Sequence, residues 1–459
     1  MVTLVIFFFA VFTKFPYKGT KYFLISCTHT ENFSSVFLSI KMEYMQLGKY
    51  SFGIGDRFAM QGEAQLKGIM KTLEYGIEIH PVWNKSNREH MTIHSEPLQT
   101  RQEADEAVKA LGWSKPYFVD ADHINMSNVG KFIDHCDFFT IDVADFIGKK
   151  ATDEEIKQFV KNNEKFLGKF SIPGVEEQFE ITRKLLQEIA GKFLFAIKQA
   201  GTIYRHIEKK KGAGNFVTEV SMDEVAEAQS PIEMFFILSM VAAEGIPAQT
   251  IAPKFTGRFN KGVDYVGDVS LFRKEFEQDL LVIDIAITEF DLPKNLKLSV
   301  HSGSDKFSIY PIMGELIKKY DKGIHVKTAG TTWLEEAIGL AMAGGEALQM
   351  IKDIYKAGLN RYDELAGPYA TVIDIDTSKL PTPSEVESWD GETLANTLRH
   401  IPDHPQYNLH FRQLMHVSYK LAAEKGETYI NLLREHRDLV GRQVTENIFD
   451  RHIKRLFAF

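Results

Sequence analysis

Three histidines in this sequence stand in or directly after runs of residues that favour β-strands. His123 ends the segment Val119-Asp120-Ala121-Asp122-His123, His301 follows Val300, and His325 lies in a later run. Neutral imidazoles bind borderline divalent metals, and two or three of them with a carboxylate leave room for a chelating substrate. We therefore predict that these histidines bind a divalent cation (Mn, Co, Ni, Zn or Fe). The alternative is that each is an ordinary polar residue at a strand end.

Two carboxylates are candidates for proton transfer beside such a metal. Asp122 and Glu219 each lie at the end of a β-rich run, without a neighbouring Lys or Arg in the sequence. A carboxyl group in a dry, cationic pocket can have its pKa moved in either direction to suit proton transfer. We predict catalytic roles for both, although Asp122 would equally suit a helix N-cap or a turn.

Lys306, Lys327 and Thr328 are predicted to bind substrate. The two ammonium groups would bind a carboxylate or hydroxyl groups, and the turn that begins at Thr328 would offer backbone N–H groups to an anion. Barrel enzymes often bind anions after their seventh and eighth strands. The alternatives are surface lysines and a plain helix N-cap.

These residues are brought together only if the strands close into a barrel. From residue 50 onward short β-rich runs alternate with helical ones, a pattern typical of a parallel sheet. We predict a (β/α)8 TIM barrel rather than an open doubly wound sheet, because no GxGxxG motif follows the first strand. The eight predicted strands are Ser51–Gly55, Met91–His94, Pro116–Asp120, Phe138–Asp142, Phe216–Val220, Ala248–Pro253, Leu296–His301 and Gly323–Thr328.

The barrel is expected to carry two helical additions. The catalytic barrel is assigned to residues 42–345, with a charged helical insertion after the fourth strand at about 150–211. Residues 346–459 form a helical extension that packs on the barrel. Its histidines are interpreted as structural or lid residues, since they lie outside the barrel; they are His400, His404, His410 and His416.

The first 41 residues differ from the rest of the chain. Residues 2–12 are apolar but too few to span a bilayer, and no basic segment precedes them as in a secretory signal. We expect residues 1–41 to come from a start codon assigned too early, with Met42 or Met45 as the true start. A membrane anchor is the alternative.

Composition favours a small-molecule partner. The chain has 459 residues, a formal net charge of −8, 44% hydrophobic and 25% charged residues. These are values of an ordinary soluble protein, and no basic face for nucleic acid is evident. Only two cysteines occur, Cys27 and Cys136, which fits a reducing compartment. We expect a cytoplasmic protein without nucleic-acid or membrane partners, and leave open a homo-oligomer.

The sequence resembles the tagaturonate epimerase family from about residue 42 to its end. The similar segments are Val119-Asp120-Ala121-Asp122-His123-Ile124, Val300-His301-Ser302-Gly303-Ser304-Asp305-Lys306 and Ile324-His325-Val326-Lys327-Thr328-Ala329-Gly330-Thr331. The resemblance implies a divalent-metal isomerase that interconverts D-tagaturonate and D-fructuronate, and some relatives accept tagatose and fructose. It implies Asp122 as proton acceptor and the three histidines as metal ligands. Glu219 as the opposing proton donor is a geometric inference of our own.

The implied reaction inverts a carbon that the ketone does not acidify. That carbon is β to the carbonyl, so simple deprotonation there is difficult. We expect retro-aldol cleavage and re-addition, with a metal as Lewis acid. A metal-dependent ketose isomerase or a class II aldolase would use the same residues, and a non-catalytic sugar-binding barrel is the alternative of a different class.

Overall fold

Eight parallel strands close into a barrel, as the sequence predicts. The computed structural model describes residues 45–302, 305–328 and 331–458, and the order around the barrel is β1-β10-β9-β8-β7-β4-β3-β2. A separate antiparallel pair, β5-β6, lies outside it. The strands are β1 Tyr50–Ile54, β2 Ile79–Ser86, β3 Phe118–Ile124, β4 Phe138–Asp142, β5 Gly168–Ser171, β6 Gln178–Ile181, β7 Val217–Ser221, β8 Thr250–Ala252, β9 Lys297–His301 and β10 Ile324–Lys327.

Helices surround the barrel and continue beyond its last strand. Among the described residues, no helix is both long and apolar enough to cross a membrane. The α-helices are α1 Gly62–Met70, α2 Asn87–Ile93, α3 Pro97–Leu111, α4 Asp153–Asn162, α5 Arg183–Lys211, α6 Pro231–Ala243, α7 Val269–Phe290, α8 Tyr310–Lys319, α9 Thr332–Ala343, α10 Gly345–Asn360, α11 Tyr362–Ala366, α12 Pro383–Ser388, α13 Gly391–Leu398, α14 Leu409–Val417, α15 Tyr419–Glu424, α16 Glu427–Glu435, α17 Arg437–Glu446 and α18 Lys454–Phe457.

Some sequence predictions concern residues outside the described ranges. The leading segment 1–41, the start at Met42, and the pairs 303–304 and 329–330 in two of the motifs lie there. The insertion after β4 contains the predicted helices, α4 and α5, and also the β5-β6 pair, which was not predicted.

The second barrel strand was predicted in the wrong place. Residues 91–93 belong to helix α2, which begins with a capping box made by Ser86 and Glu89. The true strand, β2, pairs with β1 through Pro81 opposite Phe52. Proline is rare inside strands because it has no N–H to donate, so this segment does not look like a barrel strand. The other seven predicted strands overlap the observed ones.

The barrel interior changes from apolar to polar along the strands. At the amino-terminal end Val82, Phe118, Phe138 and Val217 pack around Leu47. Side chains on one face of a strand recur every second residue. Two residues further along these same four strands come the buried polar side chains Asn84, Asp120, Thr140 and Glu219. On these four strands the polar side chains therefore lie toward the carboxyl end of the barrel.

The extension after β10 is joined to the loop after β9 by buried charges. The Asp305 carboxylate lies 2.7 Å from Nη2 of Arg412, 3.2 Å from Nδ1 of His400 and 3.1 Å from Nε2 of His452. These residues are almost fully buried, and removing one partner would leave an uncompensated buried charge. The ion pairs fix the extension against the loop that follows His301.

We expect Gly314→Ala to destabilise the fold. A β-carbon at Gly314, in helix α8, would lie 1.8 Å from the carbonyl oxygen of Leu456, so α8 and α18 would have to separate. Overpacking of this kind typically costs about 1–3 kcal/mol. The matched control is Gly191→Ala in helix α5, where a β-carbon meets nothing within 4 Å. Thermal unfolding should show a lower midpoint for the first variant only; equal midpoints would contradict this packing.

Candidate active site

A break in the register of β3 orients His123. The pairing of β3 with β4 runs through Ala121 opposite Phe139, then shifts before Ile124 pairs with Ile141. His123 has a φ of 51°, in the left-handed region that residues other than glycine rarely adopt. Successive side chains of a regular strand point to opposite faces, but the bulge brings the His123 imidazole to 3.8 Å from the Asp122 carboxylate.

His123 meets His301 and an aspartate that the sequence analysis did not select, Asp223. The two imidazole rings are 5.2 Å apart, and one ligand atom from each of the three residues lies within 4.8 Å of the others. Nδ1 of His301 is buried, makes no hydrogen bond, and lies 3.1 Å from Oδ1 of Asp223. Two imidazoles and a carboxylate suit divalent transition metals. These residues therefore fit a metal ion.

A carboxylate lies behind each histidine of this group. Nε2 of His301 is 2.8 Å from Oε1 of Glu219, and Nδ1 of His123 is 3.2 Å from Oδ2 of Asp142. Carboxylates in this position commonly fix the tautomer and orientation of metal-binding histidines. They leave Nδ1 of His301 and Nε2 of His123 as the atoms that face the group.

Lys327 lies at the centre of the polar layer beneath the mouth. Its Nζ is 2.8 Å from Asp120, 2.9 Å from Asp122 and 3.0 Å from Glu219. Burial lowers the pKa of Lys327, but these three carboxylates outweigh it and raise the pKa well above its ordinary value. The ammonium is therefore charged at neutral pH, and its contacts with these three carboxylates leave it no free N–H for a substrate.

The same ammonium controls the ionisation of the two predicted catalytic carboxyls. Burial opposes the charge on Asp122, but Lys327 and His123 outweigh it and lower its pKa to about 2. The pKa of Glu219 is also lowered well below its ordinary value, since Lys327 and His301 overcome its burial. Both groups are ionised at neutral pH. Asp122 is therefore ready to accept a proton, whereas these surroundings oppose the protonated Glu219 that a donor role requires.

His325 lies deeper in the barrel than the other two predicted ligands. It comes two residues before Lys327 in β10, is fully buried, and its Nδ1 lies 2.9 Å from the Ser51 hydroxyl. Burial lowers its pKa to about 3. Two groups of possible metal ligands are found among the described residues, His123-Asp223-His301 and His123-Asp142-Glu224, and neither contains His325. The structure brings together two of the three predicted ligands.

Lys306 and Thr328 lie within the protein rather than at the mouth. Nζ of Lys306 donates to the carbonyl oxygens of Asn260 at 2.9 Å and Val263 at 2.6 Å, and the side chain is fully buried. The Thr328 hydroxyl donates to the carbonyl of Gly53 at 3.2 Å and is also buried. Substrate binding was predicted from their sequence position, but in this structure both side chains fix the backbone around the mouth.

Sequence reasoning missed the candidate ligand that follows β7. Asp223 comes two residues after Ser221, the last residue of that strand. The signal was present, because a carboxylate just past a strand end belongs to the face where barrel enzymes build their sites. Asp142 ends a predicted strand and could have been selected by the same rule.

Comparison with known proteins identifies the class of enzyme. The tagaturonate/fructuronate epimerase of Thermotoga maritima is 28% identical over 422 residues, which cover 88% of this chain and 80% of that protein. A glycerol complex of the fructuronate-tagaturonate epimerase from Cohnella laeviribosi has the same fold, with a TM-score of 0.73, 21% identity and coverage of 96% and 92%. The native form of that enzyme gives a TM-score of 0.71 at 20% identity, with the same coverage. These two structures show the shared fold, and the class of enzyme, an epimerase of the isomerase class, follows from the family profile that matches residues 11–456.

The family follows from a sequence profile. The profile described as tagaturonate epimerase matches residues 11–456. This chain therefore belongs to the tagaturonate epimerase family, as its motifs predicted. We expected the resemblance to start at about residue 42, but the match begins earlier, at residue 11.

Metal content should separate the two kinds of histidine. We expect His301→Ala to reduce bound divalent metal at least about tenfold, because losing the histidine leaves two ligands of the group. His325→Gln is the matched control and should keep its metal, since its ring is held by Ser51 below the group. Metal per folded chain is measured by plasma mass spectrometry after dialysis. Equal loss in both variants would place His325 among the ligands.

Proposed function

We propose that this chain interconverts D-tagaturonate and D-fructuronate in a reaction that depends on a divalent metal. The observation that carries the proposal is the convergence of His123, Asp223 and His301 beside the ionised Asp122. The names of the relatives from Thermotoga maritima and Cohnella laeviribosi support the substrate pair. The few cysteines go with a cytoplasmic location, and the partner is a small sugar acid.

The reaction inverts C4, which is β to the C2 ketone. A base removes the proton of the C4 hydroxyl, the C3–C4 bond breaks, and the products are an aldehyde and an enediolate. The aldehyde rotates, the bond forms again on its other face, and the same proton returns to the C4 oxygen. A divalent metal at the mouth would act as a Lewis acid and withdraw electron density from the ketone. The protein must supply one group that takes and returns a proton.

Asp122 suits this role. It is ionised at neutral pH, and its carboxylate lies at the mouth between Lys327 and the His123 ring. The Lys327 ammonium stabilises the ionised form of Asp122 before it accepts the proton. An ionised carboxylate is in the state that can accept a proton, and the same group returns that proton when the C–C bond re-forms.

Glu219 is better suited to positioning than to proton donation. Its Oε1 lies 2.8 Å from Nε2 of His301, and an N–H at that atom would leave Nδ1, 3.1 Å from Asp223, as the atom that a metal ion would take in place of a proton. It also lies 3.0 Å from the Lys327 ammonium. The retro-aldol route needs only one proton-transfer group, and this frees Glu219 from the donor role first assigned to it.

The first test is product identity with and without metal. Metal-free protein, prepared with EDTA, is incubated with D-fructuronate alone and after addition of Mn²⁺, Co²⁺, Ni²⁺ or Zn²⁺. We expect D-tagaturonate to form only when metal is added. An aldose product would indicate a ketose isomerase, and lasting cleavage would indicate an aldolase. Full epimerase activity in metal-free protein would contradict the proposal.

The second test concerns Asp122 and the route. We expect Asp122→Asn to lower kcat by about 10²–10⁴-fold, the usual contribution of a general base, while bound metal is retained. In D₂O the wild-type product should contain no deuterium at C4, because the C4–H bond is never broken. Deuterium at C4, measured by NMR, would establish deprotonation of the carbon and exclude the retro-aldol route.

A further inference from the structure

The charge at the barrel mouth is unfavourable for a sugar acid. One ammonium, Lys327, and the divalent ion of the proposed function together bring three positive charges to the site, but five acidic side chains face it: Asp120, Asp122, Asp142, Glu219 and Asp223. A hexuronate brings one more negative charge. If the proposed function holds, the substrate carboxylate therefore needs a cation that these acids do not already occupy.

Most cations near the strand ends have partners. Lys306 donates to backbone carbonyls, Arg57 forms an ion pair with Glu89, and Nη1 of Arg258 lies 3.3 Å from Asp374. Lys327 is surrounded by acids. None of these four groups is free to bind an anion without breaking a contact.

Lys254 differs from them in its contacts. It is half-buried, and within the part of the chain that the structure describes its ammonium has no hydrogen bond or ion pair. Its backbone N–H donates to the Gln229 side chain at 2.8 Å, which fixes the start of the loop. A half-buried lysine without an anion has lost hydration and gained nothing in return, so a ligand carboxylate would stabilise it.

The register of the barrel places Lys254 beside the metal group. Ser221 pairs with Ala252, and Thr250 pairs with Lys297. Continuing the first register by two residues and the second by four, past the end of β8 at Ala252, sets Lys254 level with Asp223 on one side and His301 on the other. Neighbouring strands are about 4.8 Å apart, so the lysine begins one strand spacing from two of the three candidate ligands.

The loop that carries Lys254 is held from above and from the side. Lys306 donates to Asn260 and Val263, and Nε of Arg412 in the extension donates to the carbonyl of Gly262. The backbone N–H of Lys261 donates to Val372 at 2.7 Å. A fixed loop holds a cation in place before the substrate arrives, which lowers the entropic cost of binding.

We infer that the Lys254 ammonium binds the C6 carboxylate of the hexuronate and thereby sets the preference for sugar acids over neutral ketoses. The inference rests on the proposed function, since it assigns a residue to one end of that substrate. C6 is two bonds from C4, so the contact also anchors the aldehyde fragment while it rotates. The acidic side chains at the mouth repel a separate anion. The substrate carboxylate is covalently joined to the ketose part that binds the metal, and so it is held within reach of Lys254.

The test compares two substrates that differ only at C6. D-fructuronate carries a carboxylate there, and D-fructose carries a hydroxymethyl group. We expect Lys254→Met to lower kcat/KM for D-fructuronate by about 10-fold to 100-fold, mostly through KM, because a charged hydrogen bond is lost. For D-fructose the change should be less than about threefold, and Lys254→Arg should restore most of the preference.

Lys261→Met is the matched control, since it removes a second half-buried lysine of the same loop. It should leave the ratio of the two kcat/KM values within about threefold of wild type, the margin set for the neutral ketose. Equal losses on both substrates in Lys254→Met, or a loss of preference in Lys261→Met instead, would overturn the inference. Wild-type protein that fails to epimerise D-fructuronate would refute the proposed function separately. Calorimetric binding of D-fructuronate to wild type and Lys254→Met would then still decide the role of the lysine.

Discussion

The Lys327 ammonium holds the barrel mouth together. It links β10 to Asp120 and Asp122 of β3 and to Glu219 of β7, on the far side of the barrel. Asp120 and Glu219 are buried and Asp122 is half-buried, and a buried charge is tolerated only when it is paired. Burial raises the pKa of all three carboxyls, and Lys327 opposes that rise: the pKa values of Asp122 and Glu219 fall below their ordinary values, and that of Asp120 is about 7. The polar end of this barrel therefore depends on the lysine as a set.

The ion cluster also determines the chemistry that the mouth can perform. Lys327 helps to keep Asp122 and Glu219 ionised. Because it is one positive group among several acids, the rim has an excess of negative charge. In the metal-free protein, protonated His123 and His301 offset part of this excess. Burial lowers the pKa of each imidazole, but nearby carboxylates outweigh burial and raise the pKa values to about 10 for His123 and about 9 for His301. A divalent cation would replace these protons. The same excess explains why a cation free of acid partners, Lys254, matters for an anionic substrate.

The barrel could be predicted because the alternation of β-rich and helical segments repeats along the chain. Features that depend on a single irregular residue could not be predicted. Strand β2 was not recognised because it contains Pro81, which is unusual inside a strand. Its pairing with β1, where Pro81 lies opposite Phe52, cannot be read from the sequence. The structure places His123 at the barrel mouth, and the bulge that turns it inward depends on how β3 pairs with β4, which the sequence does not show. Lys306 looked like a substrate group because its loop follows β9; only the fold shows that its ammonium serves the neighbouring loop. Asp223 was overlooked because it stands in the loop after its strand.

In the proposed function, one divalent ion, held by His123, Asp223 and His301, is required for epimerisation. The most direct measurement is a titration of metal-free protein with Mn²⁺ or Zn²⁺ in which bound metal and D-tagaturonate formation are followed together. Activity should rise in proportion to bound metal and level off at one ion per chain, and Asp223→Ala should bind little metal and show little activity. Activity that is complete before any metal is bound would contradict the account.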